Sequence, residues 1–246
     1  MLRMSERWYY GLKSQPATPE VMSSRVAREI GRLVVGGQVR PGEMVEEEGA
    51  LARRYGVSRT VVRDAVKLLV GKGLLEVRRG IGTRVKPRSD WGLLDDDVLA
   101  WHLSSPISLD RVRQLMEVRL IMEPQAAGWA ALRADRDDLE AMDAACTAML
   151  DSVDDAESFV PADARFHRSV LHAAHNEYLS ALEGVIYSSL LDSIRLTNFD
   201  PSRNAASVPY HVSVADAIRA GDPQSAECAM RELLDDAYQR LQALTA

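Results

Sequence analysis

Three groups of residues in this 246-residue chain have side chains and spacing suited to chemistry. The first is Arg59, Arg63 and Lys67, one cation every four residues, with Thr60 beside them. On a helix these share one face. Guanidinium forks at that spacing can pair with guanine edges and phosphates in a DNA major groove. The second is Asp163-x-x-x-His167, a carboxylate and an imidazole that reach one point from the same helix face. Such a pair is either two ligands for one ion or a helix-stabilising contact, and the residue types leave both open. The third is Arg119 with Glu123, four apart in an otherwise apolar stretch. A buried guanidinium needs an anion, and a carboxylate suits it bidentately.

The cationic triplet needs a helix to carry it. Gly56 marks a turn, Ser58 is a good N-cap, and Val57 with Val62 forms a hydrophobic staple. Val62, Ala65, Val66 and Leu69 then make one apolar face, so the helix packs on a small core and leaves its arginines outside. Upstream, the spacing predicts a helix from Met22 to Val35, a Pro41-Gly42 turn, and a second helix from Glu47 to Tyr55. Downstream, LLEVRRGIGTRVK predicts a hairpin, with Leu75 and Val77 inward on one strand, Val85 on the next, and Arg79-Gly80 at the tip.

The other two groups fall where only helical periodicity is visible, with expected spans 109–133, 137–151, 156–174, 177–197, 208–220 and 223–244. Arg119 and Glu123 interrupt the inward series Val112, Leu115, Met116, Ala126, Ala127, Ala130. Asp163 and His167 lie with Phe166, Val170, Leu171 and Ala174, and His211 with Val214, Ala215 and Ile218. Buried ionisable groups cost several kcal/mol unless paired. Their convergence predicts a polar cavity inside a helical bundle.

Charge divides the chain at the same place. Residues 21–88 hold 15 Lys and Arg against 7 Asp and Glu, a net +8, whereas residues 89–246 hold 12 against 27, a net −15. A basic module joined to an acidic one predicts that only the front part meets a polyanion. Two distant cysteines, Cys146 and Cys228, form no framework and fit a reducing compartment. No apolar run approaches the roughly 20 residues of a membrane span, and no signal-peptide core is seen, so the expectation is a cytoplasmic protein without membrane contact. The expected domains are an N-terminal arm (1–20) with no assigned role, a winged helix-turn-helix (21–88), a linker (89–108) and an all-α bundle (109–246). In the linker, Trp91, Leu94, Val98 and Trp101 are expected to clamp the two modules together.

The pieces IGRLVVGGQVRPGEMV and LARRYGVSRTVVRDAVKLLVGKGLLEVRRGIGTRV, in that order, resemble the DNA-binding domain of the GntR family of bacterial regulators. The resemblance implies DNA contacts by Ser58, Arg59, Thr60, Arg63, Arg79 and Gly80. One departure stands out: the family usually opens the second helix with Ser-Glu-Arg, and here Glu46-Glu47-Glu48-Gly49 places glycine where that arginine would touch DNA.

DARFH, AAHNEYL and YHVSVADAIRAGDPQSAECAM are similar to the all-helical effector domain of the FadR subgroup of that family, a bundle of six or seven helices that also drives dimerisation. The resemblance implies a homodimer on an operator palindrome. It also implies a divalent, zinc-like metal held by one Asp and three His. Asp163, His167 and His211 match three of these ligands, and Leu233 stands at the fourth, so the metal is weakly held or absent. Arg119 is implied to grip the carboxylate of a small organic acid, in a pocket shared with Glu123, Asp163, His167 and His211, with Arg195, Thr197 and Asn198 as further contacts. Within the subgroup, WGLLDDDVLAW, EVRLIMEP and ADARFHRSVLHAAHN most resemble members that govern galactonate catabolism, which implies a sugar-acid effector.

The expected function is therefore a transcriptional repressor released from its operator by a sugar acid, with no catalytic residues. A metal-dependent enzyme using Asp163, His167 and His211 is the alternative; it keeps an open coordination position but lacks a motif for a general base and leaves the basic module idle. An architectural DNA binder would leave the inward polar residues without a purpose.

Overall fold

The computed structural model describes residues 4–13, 21–197 and 201–243, without the side chains of residues 4, 5, 156 and 193–197. The chain divides into two units, Met1–Pro106 and Ile107–Ala246. Arg195 and Thr197 have side chains outside the described set, and Asn198 lies outside it altogether.

The first unit begins with α1 (Met4–Leu12) and α2 (Met22–Val35). Helix α2 buries Val26, Ile30 and Val34, the face its periodicity predicts. Helix α3 (Glu48–Tyr55) ends at Gly56, whose φ of 64° is left-handed and suits glycine. Helix α4 (Arg59–Gly71) is capped by Ser58, whose Oγ accepts from the Val61 N–H at 3.3 Å, and it buries Val62, Ala65, Val66 and Leu69 as expected. Strands β1 (Leu75–Arg78) and β2 (Gly82–Val85) pair antiparallel, with Leu75 opposite Val85. Those two are fully buried, but Val77 is 62% exposed, because only the base of this short wing rests on the core.

Residues 89–108, expected as a linker, carry α5 (Asp96–Leu103), capped by the Asp95 carboxylate on the N–H groups of Asp97 and Val98. Trp91, Val98 and Trp101 join the same core as α2 and α4, while Leu94 is exposed. Three of the four expected anchors thus complete the first unit's own core. The expected N-terminal arm also holds structure. Tyr9 is fully buried with its hydroxyl 2.7 Å from Asp96 Oδ1, and the buried Glu6 carboxylate takes bonds from Arg32 and Ser104.

The second unit is all α: α6 (Leu109–Arg133), α7 (Arg136–Leu150), α8 (Ala156–Ala173), the single turn α9 (Glu177–Ser180), α10 (Glu183–Thr197), α11 (Pro201–Arg219) and α12 (Pro223–Ala243). Helix α6 packs on α12 and α8, and α7 on α8. Two spans differ from expectation. The helix expected over 177–197 breaks between α9 and α10, and α11 starts at Pro201 rather than 208, running through Pro209. The fold class, a winged helix-turn-helix followed by a helical bundle, is as the sequence indicates. No described helix is long and apolar enough to cross a membrane.

Candidate functional site

On the first unit, Ser58, Arg59, Thr60 and Arg63 all lie on the exposed side of α4, opposite the buried apolar face. Arg63 donates from Nε to Glu48 Oε2 at 2.7 Å. Arg59 has its guanidinium over Gly49, where an added Cβ would come 3.2 Å from Nη2. Arg79 and Gly80 sit at the exposed wing tip, and Gly80 takes a φ of 76°, which favours glycine. Four of the six expected DNA-contact residues thus lie at the start of α4 on its exposed side, and two at the exposed tip of the wing.

In the second unit, helices α6, α8 and α11 carry the ionisable residues inward. His167, His211, Arg119 and Glu123 are each 1–3% exposed, as side chains. His211 Nδ1 meets the Ser207 carbonyl oxygen at 2.9 Å, one helical turn back, and so donates its proton there. Its Nε2 lies 2.9 Å from Asp163 Oδ1. His167 is arranged alike: Nδ1 lies 2.5 Å from Glu123 Oε2, and Nε2 lies 3.5 Å from the same Asp163 oxygen and 3.3 Å from Arg119 Nη2. Two acceptors at such distances repel unless a positive centre, a proton or an ion, lies between them.

The electrostatics agree. Burial would raise the Asp163 carboxyl, but hydrogen bonds and charge from His167 and His211 outweigh it and hold the pKa far below the usual range. Burial pushes the His167 imidazole down, and the Glu123 carboxylate more than reverses this, leaving it raised. Glu123, also against burial, is lowered to about 2 by Arg119 and His167. Apart from Asp163, 13% exposed as a side chain, the cluster is almost fully buried, and its carboxylates face the guanidinium and the imidazoles, which is the condition for burying charge without a large penalty.

Asp163, His167 and His211 bring their ligand atoms within 4.8 Å of one another. Such a group fits a small cation: one oxygen and two imidazole nitrogens converge, and the ring nitrogens behind are oriented by Glu123 and Ser207. Leu233 lines the same cavity, 4% exposed, and offers no donor. The cavity measures about 100 Å³ and is lined also by Arg119, Met116, Phe159 and Leu190. Glu123 stands behind the wall and acts through its neighbours. Sequence reading missed four polar lining residues: Arg203, Asn204 and Ser207 on α11 and Arg240 on α12. Asn204, Ser207 and His211 fall at helical spacing, a signal hidden when the helix is started after Asn204 instead of at Pro201.

Comparison with known proteins decides the family. Residues 22–85 match the model for bacterial regulatory proteins of the gntR family, and residues 114–236 match the FCD domain. The galactonate operon transcriptional repressor of Escherichia coli (strain K12) is 32% identical over 225 residues, covering 91% of this chain and 98% of that one. The chain belongs to the GntR family. This GntR-family protein is a DNA-binding transcriptional regulator with a winged helix-turn-helix and a helical FCD domain. The regulator LutR of Bacillus subtilis (strain 168) is 30% identical over 205 residues, covering 80% of this chain and 91% of that one. Among solved structures, Lar of Listeria monocytogenes shares the fold, with a TM-score of 0.66 at 20% identity, covering 92% of this chain and 99% of that one.

Proposed function

We propose that this regulator is a homodimeric, cytoplasmic repressor whose helical unit binds a small carboxylate effector, a sugar acid such as galactonate or a related aldonate, and that the effector releases the operator. The observation that carries this reading is the buried pair of imidazoles, each with Nδ1 engaged by an oriented acceptor and each with Nε2 facing one Asp163 oxygen beside a cavity. Asp163, His167 and His211 would hold a divalent cation. When bound, that cation supplies attraction for carboxylate and hydroxyl oxygens. Arg119 lines the cavity, its Nη1 has no hydrogen bond among the described residues, and that nitrogen would take one carboxylate oxygen. Ser207 and Asn204 supply hydroxyl and amide groups for a polyol chain. The sugar-acid class is supported by the galactonate operon repressor among the relatives.

On DNA, Arg59 and Arg63 read bases, Ser58 and Thr60 position the helix on the backbone, and Arg79 with Gly80 takes the wing to the adjoining strand. Two copies on a two-fold axis read a palindrome. To empty the operator, the effector must prefer the released geometry by several kcal/mol. The enzyme alternative is disfavoured because Asp163 is the one carboxylate among the described lining residues, and Glu123 behind it is taken up by Arg119 and His167.

The test is a gel shift with DNA from upstream of the gene, alone and with a panel of aldonates, hydroxy acids and dicarboxylates, with and without EDTA. Retardation abolished by an aldonate, and restored when EDTA accompanies the aldonate, is the expected result. Retardation unchanged by every acid would overturn the effector assignment.

A further inference from the structure

The exposed edge of α4 has a neighbour, the first turn of α3, where this chain carries Glu48-Gly49 in place of the arginine contact that the family resemblance implies. Glu48 opens that helix, and its carboxylate accepts from Arg63 Nε at 2.7 Å, not from the terminal nitrogens. Nε is the inner corner of the guanidinium. Holding it restrains the plane of the fork and leaves Nη1 and Nη2 without a hydrogen bond among the described residues, a pair that can serve a guanine O6 and N7. The side chains are 61% and 39% exposed, and an ion pair that open contributes little to stability. A carboxylate on an edge that meets phosphates also repels DNA. Its presence there is explained by what it does to Arg63.

Gly49, the next residue, acts on the other arginine. Arg59 makes no hydrogen bond among the described residues, and its guanidinium rests over the bare Cα of Gly49, with Nη2, Cζ and Nε 3.2, 3.6 and 3.7 Å from where a Cβ would be. A Cβ at 49 presses on that seat, 3.2 Å from Nη2, so the Arg59 guanidinium must shift by a few tenths of an ångström, and longer side chains ask for more. The two arginines are therefore posed differently: one is buttressed by a carboxylate, the other lies close over a glycine where a Cβ would crowd it.

We propose that the first turn of α3 is a specificity-determining element of the DNA interface, in which Glu48 is a positioning residue for Arg63 and Gly49 is the seat that sets the reach of Arg59. This rests on the assignment of α4 as the base-reading helix. It adds that the sequence preference is set from α3, one helix away from the groups that touch the bases.

The experiment is binding-site selection by the full-length protein from a duplex pool with randomised half-sites, followed by affinity and salt dependence on the selected duplex and its single-base variants. Four proteins are compared: the parent, Glu48→Ala, Glu48→Gln and Gly49→Ala. Glu48→Ala should reduce the preference at one guanine about tenfold while leaving affinity for unselected duplex equal or tighter. Glu48→Gln keeps an acceptor for Nε and should restore most of that preference despite losing the charge. Gly49→Ala should alter preference at a different base pair. If Glu48→Ala tightens all duplexes equally with the ranking intact, the carboxylate merely repels phosphate and the proposal is wrong. Equal weakening on all duplexes with a lowered Tm would also overturn it, by making Glu48 structural. If the parent itself selects no sequence, the assignment of α4 fails, and that outcome is distinguishable because it does not depend on position 48 or 49.

Discussion

Gly31 and the indole of Trp101 are in face contact, so close that a Cβ on residue 31 would lie 2.3 Å from both Cε3 and Cζ3 of the ring. The ring is 2% exposed and spans α2 and α5, which are far apart in sequence. It cannot swing away without opening the core that also holds Val98 and Trp91. Gly31→Ala gains helix propensity but overpacks this contact, and a net loss of about 1–3 kcal/mol is expected. Urea unfolding followed by tryptophan fluorescence measures it; a midpoint unchanged from the parent would show that the indole has somewhere else to go.

Arginine replacements on α4 should differ from those on the wing. Arg59→Ala and Arg63→Ala should each cost about 1–3 kcal/mol on the selected operator and flatten preference at one base pair. Arg79→Ala should weaken all duplexes alike and reduce the salt slope by about one. Fluorescence anisotropy over a salt series separates the two patterns. A wing variant that lost base preference instead would reverse the assignment.

The proposed cation site makes a prediction through a residue that is not a ligand. Glu123→Gln removes the carboxylate that orients His167 and should weaken zinc binding about 10–100-fold. Leu233→His, by contrast, places an imidazole on the wall of the same cavity and should tighten it. Calorimetric titration of the metal-stripped protein with zinc reads both. Identical isotherms for the parent and both variants would remove the cation from the account.

Lys72, the C-cap of α4, sends its ammonium to Asp95 at 2.8 Å and Asp97 at 2.7 Å, the start of α5. Burial pulls its pKa down, but the two carboxylates outweigh that and raise it above 10.5. A lysine raised on folding contributes stability that is complete below the unfolded value and is lost as pH climbs through the folded one. Melting of the parent should therefore fall more steeply than that of Lys72→Met above about pH 10.5, and the two curves should run parallel below it. Parallel curves throughout would mean that the ammonium gains nothing from its partners.

How much could be read in advance varies with the range of the cause. Helix α4 was legible because its signals are local: Ser58 caps it, and Val62, Ala65, Val66 and Leu69 repeat at its own period. The inward placement of Arg119, Glu123, His167 and His211 was legible for the same reason, since each broke an apolar stripe. Helices α1 and α5 were not. Their burial comes from Glu6 against Arg32, Tyr9 against Asp96 and Trp101 against Gly31, partners that no local pattern announces. The polar lining on α11 was hidden because Pro209 looks like a helix start, while in the fold it lies in the interior of the helix. The register of the wing was read one side chain too generously, at Val77, since alternation cannot say how far a hairpin projects beyond its support.

Helix α1 has a practical consequence. Its Glu6 carboxylate, with no exposed surface, sits against the Arg32 guanidinium and the Ser104 hydroxyl, and Tyr9 fills the space beside it. A protease that cuts between α1 and α2 would free a wedge that the core of the DNA-reading unit packs against. A preparation that has lost α1 should be judged by its melting curve before its silence on DNA is believed.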